Sequence, residues 1–160
     1  MHGKRVNIVH TEIVKDGSFI YKERLIKRPE DAAKMMEPYF KGADREKLYV
    51  VCLDKKGEPV SLTLAAIGTC DYTIVGMKEL YKNAVIVNAS GIIAFHNHTS
   101  GDAKPSKDDI STTERMRKSG DILGIKLLDH IIIGEGGKYY SFCEEGLLKV
   151  KSDVYVLSGT

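Results

Sequence analysis

Apolar and polar positions change period several times along the chain, and each change marks an element. In VNIVHTEIV (6–14) and SFIYKERLIK (18–27), β-branched and aromatic residues recur at short intervals on either side of Lys15-Asp16-Gly17. That pattern predicts two strands joined by a turn. RPEDAAKMMEPYF then takes a helical period: Pro29 suits a first turn, and Ala32, Met35, Met36, Tyr39 and Phe40 form one stripe. Pro38 is expected to end or bend this helix. KLYVVCL reads as a strand, DKKG as a turn, and PVSLTLAAI as a returning strand with Val60, Leu62, Leu64 and Ala66 alternating. From Val75 the period lengthens again. Met77, Leu80, Tyr81, Ala84, Val85 and Asn88 predict a helix that stops before Gly91.

The second half is simpler. GIIAF (91–95) is wholly apolar, as a strand buried on both faces requires. A helix is expected from about Lys107 to Ser119, followed by the strand IKLLDHIII, a Gly136-Gly137 turn and the short strand KYYSF. CEEGLLK predicts one more helical turn. Helix, buried strand, helix, strand is a βαβ-like order flanked by hairpins. The expected fold class is therefore α/β, a mixed sheet flanked by helices.

Composition narrows the class without naming a function. The 160 residues are 42% hydrophobic and 29% charged, ordinary for one globular domain, and no repeat or low-complexity tract interrupts them. Twenty-four basic against 22 acidic side chains leave a net charge of +2, so no global field points to nucleic acid or membrane. YKERLIKR is locally basic through Lys22, Arg24, Lys27 and Arg28, but no aromatic platform interleaves with it; a solvated strand face accounts for it. Cys52, Cys70 and Cys143 are odd in number and widely spaced, which argues against a disulfide framework or cysteine-bound zinc. The opening MHGKRVNIVHTEIV has no signal-peptide apolar region, and the longest apolar runs are too short for a bilayer. A cytoplasmic protein is expected.

The chemistry gathers in FHNHTSGDAKPSKDD (95–109). Residues i and i+2 of a strand face the same way, so His96 and His98 can converge on one ion. In a helix they would diverge by about 200°. A third ligand should return on the next element, and Asp109 is well placed after a loop containing Gly101 and Pro105. Asp109, Thr113, Met116, Gly120 and Leu123 then form the inward helix face, with Asp108 turned outward and Ser111, Glu114, Arg115 and Lys118 on the outer side. The competing reading is plain: Ser106-Lys107-Asp108-Asp109 resembles a capping box, and a histidine by itself is more often a satisfied polar residue than a ligand. Strand spacing of the pair together with the aspartate favours metal. A standard zincin and a zinc deaminase are excluded: there is no HExxH, and no H-x-E followed by P-C-x-x-C. The adjacent letters H-N-H do not make an HNH nuclease, whose residues are dispersed over a hairpin and a helix.

His96, His98, Ser106 and Asp109 keep every spacing of H-x-H-x7-S-x-x-D, and the segment resembles the JAMM (MPN/JAB) metalloprotease motif. The wider run from KELYKNAVIVNAS through ILGI and LDHIIIG is similar to the RadC branch of that family, over about residues 29–149. The resemblance implies a JAMM/MPN, cytidine-deaminase-like architecture: one domain over 1–160, with N-terminal strands and helix in 1–44 and a metal-site core in 45–149. Two positions depart from the RadC pattern. Thr99 stands where a proline usually follows the second histidine, and Val75-Gly76-Met77-Lys78-Glu79 replaces a stretch that usually contains Pro-Arg-Glu.

The same resemblance implies a Zn²⁺ held by His96, His98 and Asp109 with water as fourth ligand, and an upstream glutamate as general base. Glu46, Glu58 and Glu79 are all candidates from the sequence. The order Arg45-Glu46-Lys47-Leu48-Tyr49-Val50-Val51-Cys52-Leu53-Asp54 matches the RadC pattern and selects Glu46, which would otherwise read as an exposed strand-end residue. Ser106 is implied as hydrogen-bond donor to the oxyanion. Asn97 should face away with a structural role, and Asp129 and His130 should supply hydrogen bonding rather than a fourth ligand. The implied activity is hydrolysis of a peptide or isopeptide amide bond, with a peptide or protein as substrate. The alternative is a DNA-repair or mobile-element accessory protein whose metal is structural. No counterpart of the helix-hairpin-helix segment that often precedes RadC domains is seen, which with the near-neutral charge weighs against direct DNA binding.

Overall fold

GIIAFHN is buried along its whole length, and the surrounding elements are arranged to keep it so. The computed structural model describes residues 3–21, 26–68 and 76–150. Its elements are α1 (Pro29–Phe40), β1 (Glu46–Leu53), β2 (Pro59–Gly68), α2 (Met77–Ile86), β3 (Gly91–Asn97), α3 (Lys107–Leu123), β4 (Lys126–Ile133), a 3-10 turn at Glu135–Gly137, and β5 (Tyr139–Ser141). The strands form one sheet in the order β2-β1-β3-β4-β5. β3 is antiparallel to β1 and parallel to β4, so the sheet is mixed and β3-α3-β4 is its crossover unit.

Alternation along β3 feeds two cores. Ile92 and Ala94 pack with Leu80, Tyr81 and Ala84 of α2 and Met116 of α3. Ile93 and Phe95 point the other way, onto Ala32, Met35, Met36 and Phe40 of α1. Helices thus cover both faces, as the apolar run GIIAF required. Each such side chain contributes roughly 1.5–3 kcal/mol relative to exposure. The two helices on the first face are tied directly, Tyr81 Oη donating to the Met116 carbonyl at 2.8 Å.

Several expectations need correction. Residues 3–21 form no strand: Val6, Ile8, Val9 and Ile20 are 83–102% exposed, because no neighbouring strand offers them hydrogen bonds or a face to bury. Lys22 and Arg24 of the basic stretch, with the rest of 22–25, lie outside the described residues, as do Cys70 and Val75. Pro38 lies inside α1, which ends two residues later at Phe40. Irregularities in the β1–β2 register break the expected alternation of β2: Leu48 pairs with Ala66 but Tyr49 with Leu64, and Cys52 with Ser61 but Leu53 with Pro59. Leu62 and Ala66 consequently pack on opposite cores, while Val60 and Leu64 are exposed on this edge strand. Val85 and Leu123 are exposed rather than inward, and Asn88 lies beyond α2 at φ 54°. CEEGLLK contains turns and no helix.

α3 runs one turn past the expected end and stops at Gly124, whose φ of 70° is the left-handed cap conformation. Gly120, within its last turn, is the most closely approached of the described glycines. A Cβ there would overlap the Ile125 carbonyl oxygen and sit 2.6 Å from Tyr81 Oη. Gly120→Ala should therefore destabilise the protein by about 1–3 kcal/mol despite alanine's better helix propensity. A thermal unfolding midpoint equal to or above that of the parent chain would show that the α2–α3–β4 junction has slack.

Candidate metal centre

β3 delivers His96 at its buried end and His98 just beyond it, on the face shared with α3. His98 is held by the turn that follows. Its Nδ1 lies 2.8 Å from the Asp102 carbonyl oxygen, and Gly101 N donates to His98 O at 3.0 Å. Gly101 adopts φ 74° there, and its own carbonyl accepts from Glu135 N at 2.9 Å, which anchors the loop to the end of β4. A carbonyl only accepts, so His98 Nδ1 carries a proton, and Nε2 faces the site.

α3 supplies the third group. Ser106 is its N-cap, Oγ accepting from Asp109 N at 3.1 Å. In return Asp109 Oδ2 accepts from Ser106 N at 2.7 Å and from Ser106 Oγ at 2.6 Å. The capping-box reading is thus correct as structure, yet it does not account for where Asp109 sits. A cap contributes about 1 kcal/mol. Asp109 is 1% exposed, and burying a carboxylate costs several kcal/mol unless it is well paired. The cap alone cannot offset that.

The pairing is with the histidines. Asp109 Oδ1 is 3.1 Å from His96 Nε2, Oδ2 is 3.2 Å from His98 Nε2, and the two Nε2 atoms are 3.1 Å apart. These three side chains have the disposition of a site that could hold a metal ion. The chemistry of the donor set agrees: two imidazole nitrogens and a carboxylate, all electron-pair donors, meet at one point and need a cation among them. Electrostatics describe how a proton can serve. Burial pushes the His96 imidazole down, with Asp109 opposing. The hydrogen bond to Asp109 pushes His98 up, against its burial. Burial would raise the Asp109 carboxyl, but its neighbours His96, His98 and Ser106 hold it below the usual carboxylate range.

Glu46, expected to be exposed on any reading but the family one, is 4% exposed. It opens β1, two residues before Leu48, the register partner of His96, and so shares the histidines' face. Its charge favours the protonated forms of both rings. Asn97 faces away from them, as expected, but its structural role is specific. Its Oδ1 accepts from Lys47 N at 2.9 Å and its Nδ2 donates to Arg45 O at 3.2 Å, gripping the backbone on either side of Glu46. Glu58 and Glu79 are elsewhere, in the β1–β2 turn and on exposed α2, where Glu79 pairs with Lys82 at 2.6 Å. Asp129 organises the chain after β5, accepting from Ser141 Oγ at 2.5 Å and Cys143 N at 3.0 Å. His130 stands behind His96, Nε2 2.7 Å from His96 Nδ1.

A metal ion bound here would displace the proton from His98, whose pKa the hydrogen bond to Asp109 raises above the ordinary imidazole value. A raised pKa keeps that proton on to higher pH, so it competes over more of the neutral range. Divalent-metal affinity should fall as pH is lowered through this pKa, by about tenfold per unit for one displaced proton. Calorimetric titrations between about pH 8 and pH 6 check this; an affinity flat across that interval would mean His98 is not displaced.

Comparison with known proteins identifies the family. The sequence model of the RadC-like JAB domain matches residues 26–147. A UPF0758 protein of Methanosarcina barkeri is 39% identical over 127 residues, 79% of this chain and 55% of that protein. One from Thermotoga maritima is 43% identical over 105 residues, 66% of this chain and 47% of that protein. One from Clostridium acetobutylicum is 39% identical over 123 residues, 77% and 53% respectively. The chain spans about half the length of the curated relatives it matches. The matched segment takes in every helix and strand described above, with the His96–His98–Asp109 cluster at its centre, and the chain belongs to the family of RadC-like JAB domains.

Proposed function

We propose that the chain is a zinc-dependent metallohydrolase of JAMM type that cleaves a peptide or isopeptide amide bond. One observation carries this reading: two imidazoles and a carboxylate converge at the end of β3, with a buried glutamate on the same face. His96, His98 and Asp109 would hold the ion. Zinc in such a three-ligand site supplies a water of lowered pKa, towards ~7, and positive charge beside a carbonyl.

The remaining work falls to the chain. Glu46 accepts a proton from the attacking water and returns it to the leaving amine. Its burial keeps bulk solvent from competing for that proton, and Asn97 holds its backbone in register. Ser106 donates from Oγ to the developing oxyanion, turning from the Asp109 carboxylate that it otherwise contacts. Substrate approaches past His98, whose side chain is 15% exposed while those of His96 and Asp109 are 0% and 2%. A cytoplasmic setting belongs to this reading and suits the buried free thiols of Cys52 and Cys143.

Protein purified without a histidine tag should contain zinc near one per chain, and His96→Ala and Asp109→Ala should each lose it. Zinc far below that ratio in the parent chain would end the assignment. Glu46→Gln should retain the metal and lose about 10²–10⁴-fold in turnover of a quenched-fluorescent peptide or isopeptide library. Full zinc with undiminished turnover would place the base elsewhere. A parent chain with zinc and no turnover of any amide would favour a structural metal and the accessory-protein alternative.

A further inference from the structure

Two side chains behind the ligands take no part in the chemistry above. His130, on β4, is fully buried, and its ring stacks on Phe142 with centroids 5.0 Å apart and 9° between planes. Its Nε2 is 2.7 Å from His96 Nδ1 and its Nδ1 is 2.6 Å from Thr113 Oγ1. Thr113 Oγ1 is in turn 2.6 Å from the backbone carbonyl oxygen of Asp109. The path leaves one candidate ligand and returns at the backbone of another.

The direction of every proton on this path follows from its last atom. A carbonyl oxygen has no proton to give, so the single hydroxyl proton of Thr113 points to Asp109 O. Thr113 can then only accept from His130, whose Nδ1 must carry hydrogen. The ring is fully buried, stacked on Phe142 and hydrogen-bonded only to a hydroxyl and another imidazole, and burial without a charged partner disfavours a charged ring, so it is neutral and has only that one proton. Its Nε2 is therefore an acceptor, and His96 must donate from Nδ1. His96 is left with a bare Nε2, aimed at the point it shares with His98 Nε2 and Asp109 Oδ1, each 3.1 Å away.

We propose that Thr113 and His130 are positioning residues of the metal centre: they transmit the polarity of the Asp109 carbonyl through three hydrogen bonds and fix His96 in its metal-binding tautomer. His98 receives the same instruction in one step, from the Asp102 carbonyl. The relay also ties the orientation of the His96 ring to the first turn of α3, which presents Asp109, so that two ligands from different elements keep one geometry. This inference rests on the metal centre proposed above.

The test is a pair of substitutions at Thr113, read by zinc competition with a chromophoric chelator. Thr113→Val keeps the shape and removes the hydroxyl; Thr113→Ser keeps the hydroxyl and removes a methyl. The relay predicts that the valine variant binds zinc about 10–100-fold more weakly and that the serine variant stays close to the parent. A packing role predicts the opposite order, and that result, or equal affinities in all three, overturns the relay. A parent chain that binds no zinc overturns the metal centre and the relay with it; tight parent binding with an unaffected valine variant removes the relay alone. Should the valine variant fail to fold, ¹⁵N–¹H imidazole spectra of the zinc-loaded parent decide. His130 should carry its proton on Nδ1 and none on Nε2, and the reverse tautomer overturns the proposal.

Discussion

Electron-pair donors held face to face inside a protein repel one another unless a cation lies among them. His96, His98 and Asp109 are held in that way, within 3.1–3.2 Å of one another, and much of the architecture exists to prevent them from relaxing apart. β3 must be central, because its end carries two of the three groups and both its faces need cover. α3 must begin just beyond that strand end and return across the same face, which the parallel β3-α3-β4 unit accomplishes. Gly120, tight against the Ile125 carbonyl and Tyr81, lets α3 lie close enough to do so.

The supports are polar and local, and each fixes one group of the candidate site. The Asp102 carbonyl orients His98, the N-cap exchange with Ser106 orients Asp109, and His130 stands behind His96. Asn97 grips the backbone around Glu46. Each of these hydrogen bonds is worth only about 1 kcal/mol to stability. Their effect is geometric: a ligand displaced by a fraction of an ångström no longer shares a point with the other two. Several of the supports are backbone groups, which no side-chain substitution can remove.

How much of this was legible in the sequence differs from element to element for physical reasons. GIIAFHNH, the α3 face and LDHIII were legible because burial on both sides, or on one helical stripe, leaves a strong periodic signal. The candidate ligands were suggested by spacing, since i and i+2 on a strand permit convergence that a helix forbids. Segment 6–14 carried a comparable strand signal and formed none, because β-propensity states what a residue tolerates and says nothing of a partner strand. β2 misled through its bulges, which reverse the alternation and leave no mark in composition. Glu46 could be singled out only by family resemblance, since nothing in Arg45-Glu46-Lys47 foretells burial. The role of Thr113 in contact with both His130 and the Asp109 carbonyl had no sequence signal, because it depends on how α3 meets β4.

Asp109 is at once a helix-capping residue and a candidate ligand, and the two roles reinforce each other. A carboxylate at the third helical position is favoured by the backbone N–H groups and partial positive charge of the helix N-terminus. The same hydrogen bonds fix its rotamer, so forming the first turn of α3 already aims an oxygen at each histidine. A centre built this way is organised by the fold before any ion arrives, in contrast to small domains whose metal supplies the folding energy. The cation then has little conformational entropy left to overcome. What a cation binding there would have to overcome is the proton that Asp109 favours on His98, so proton competition would govern its occupancy more than folding.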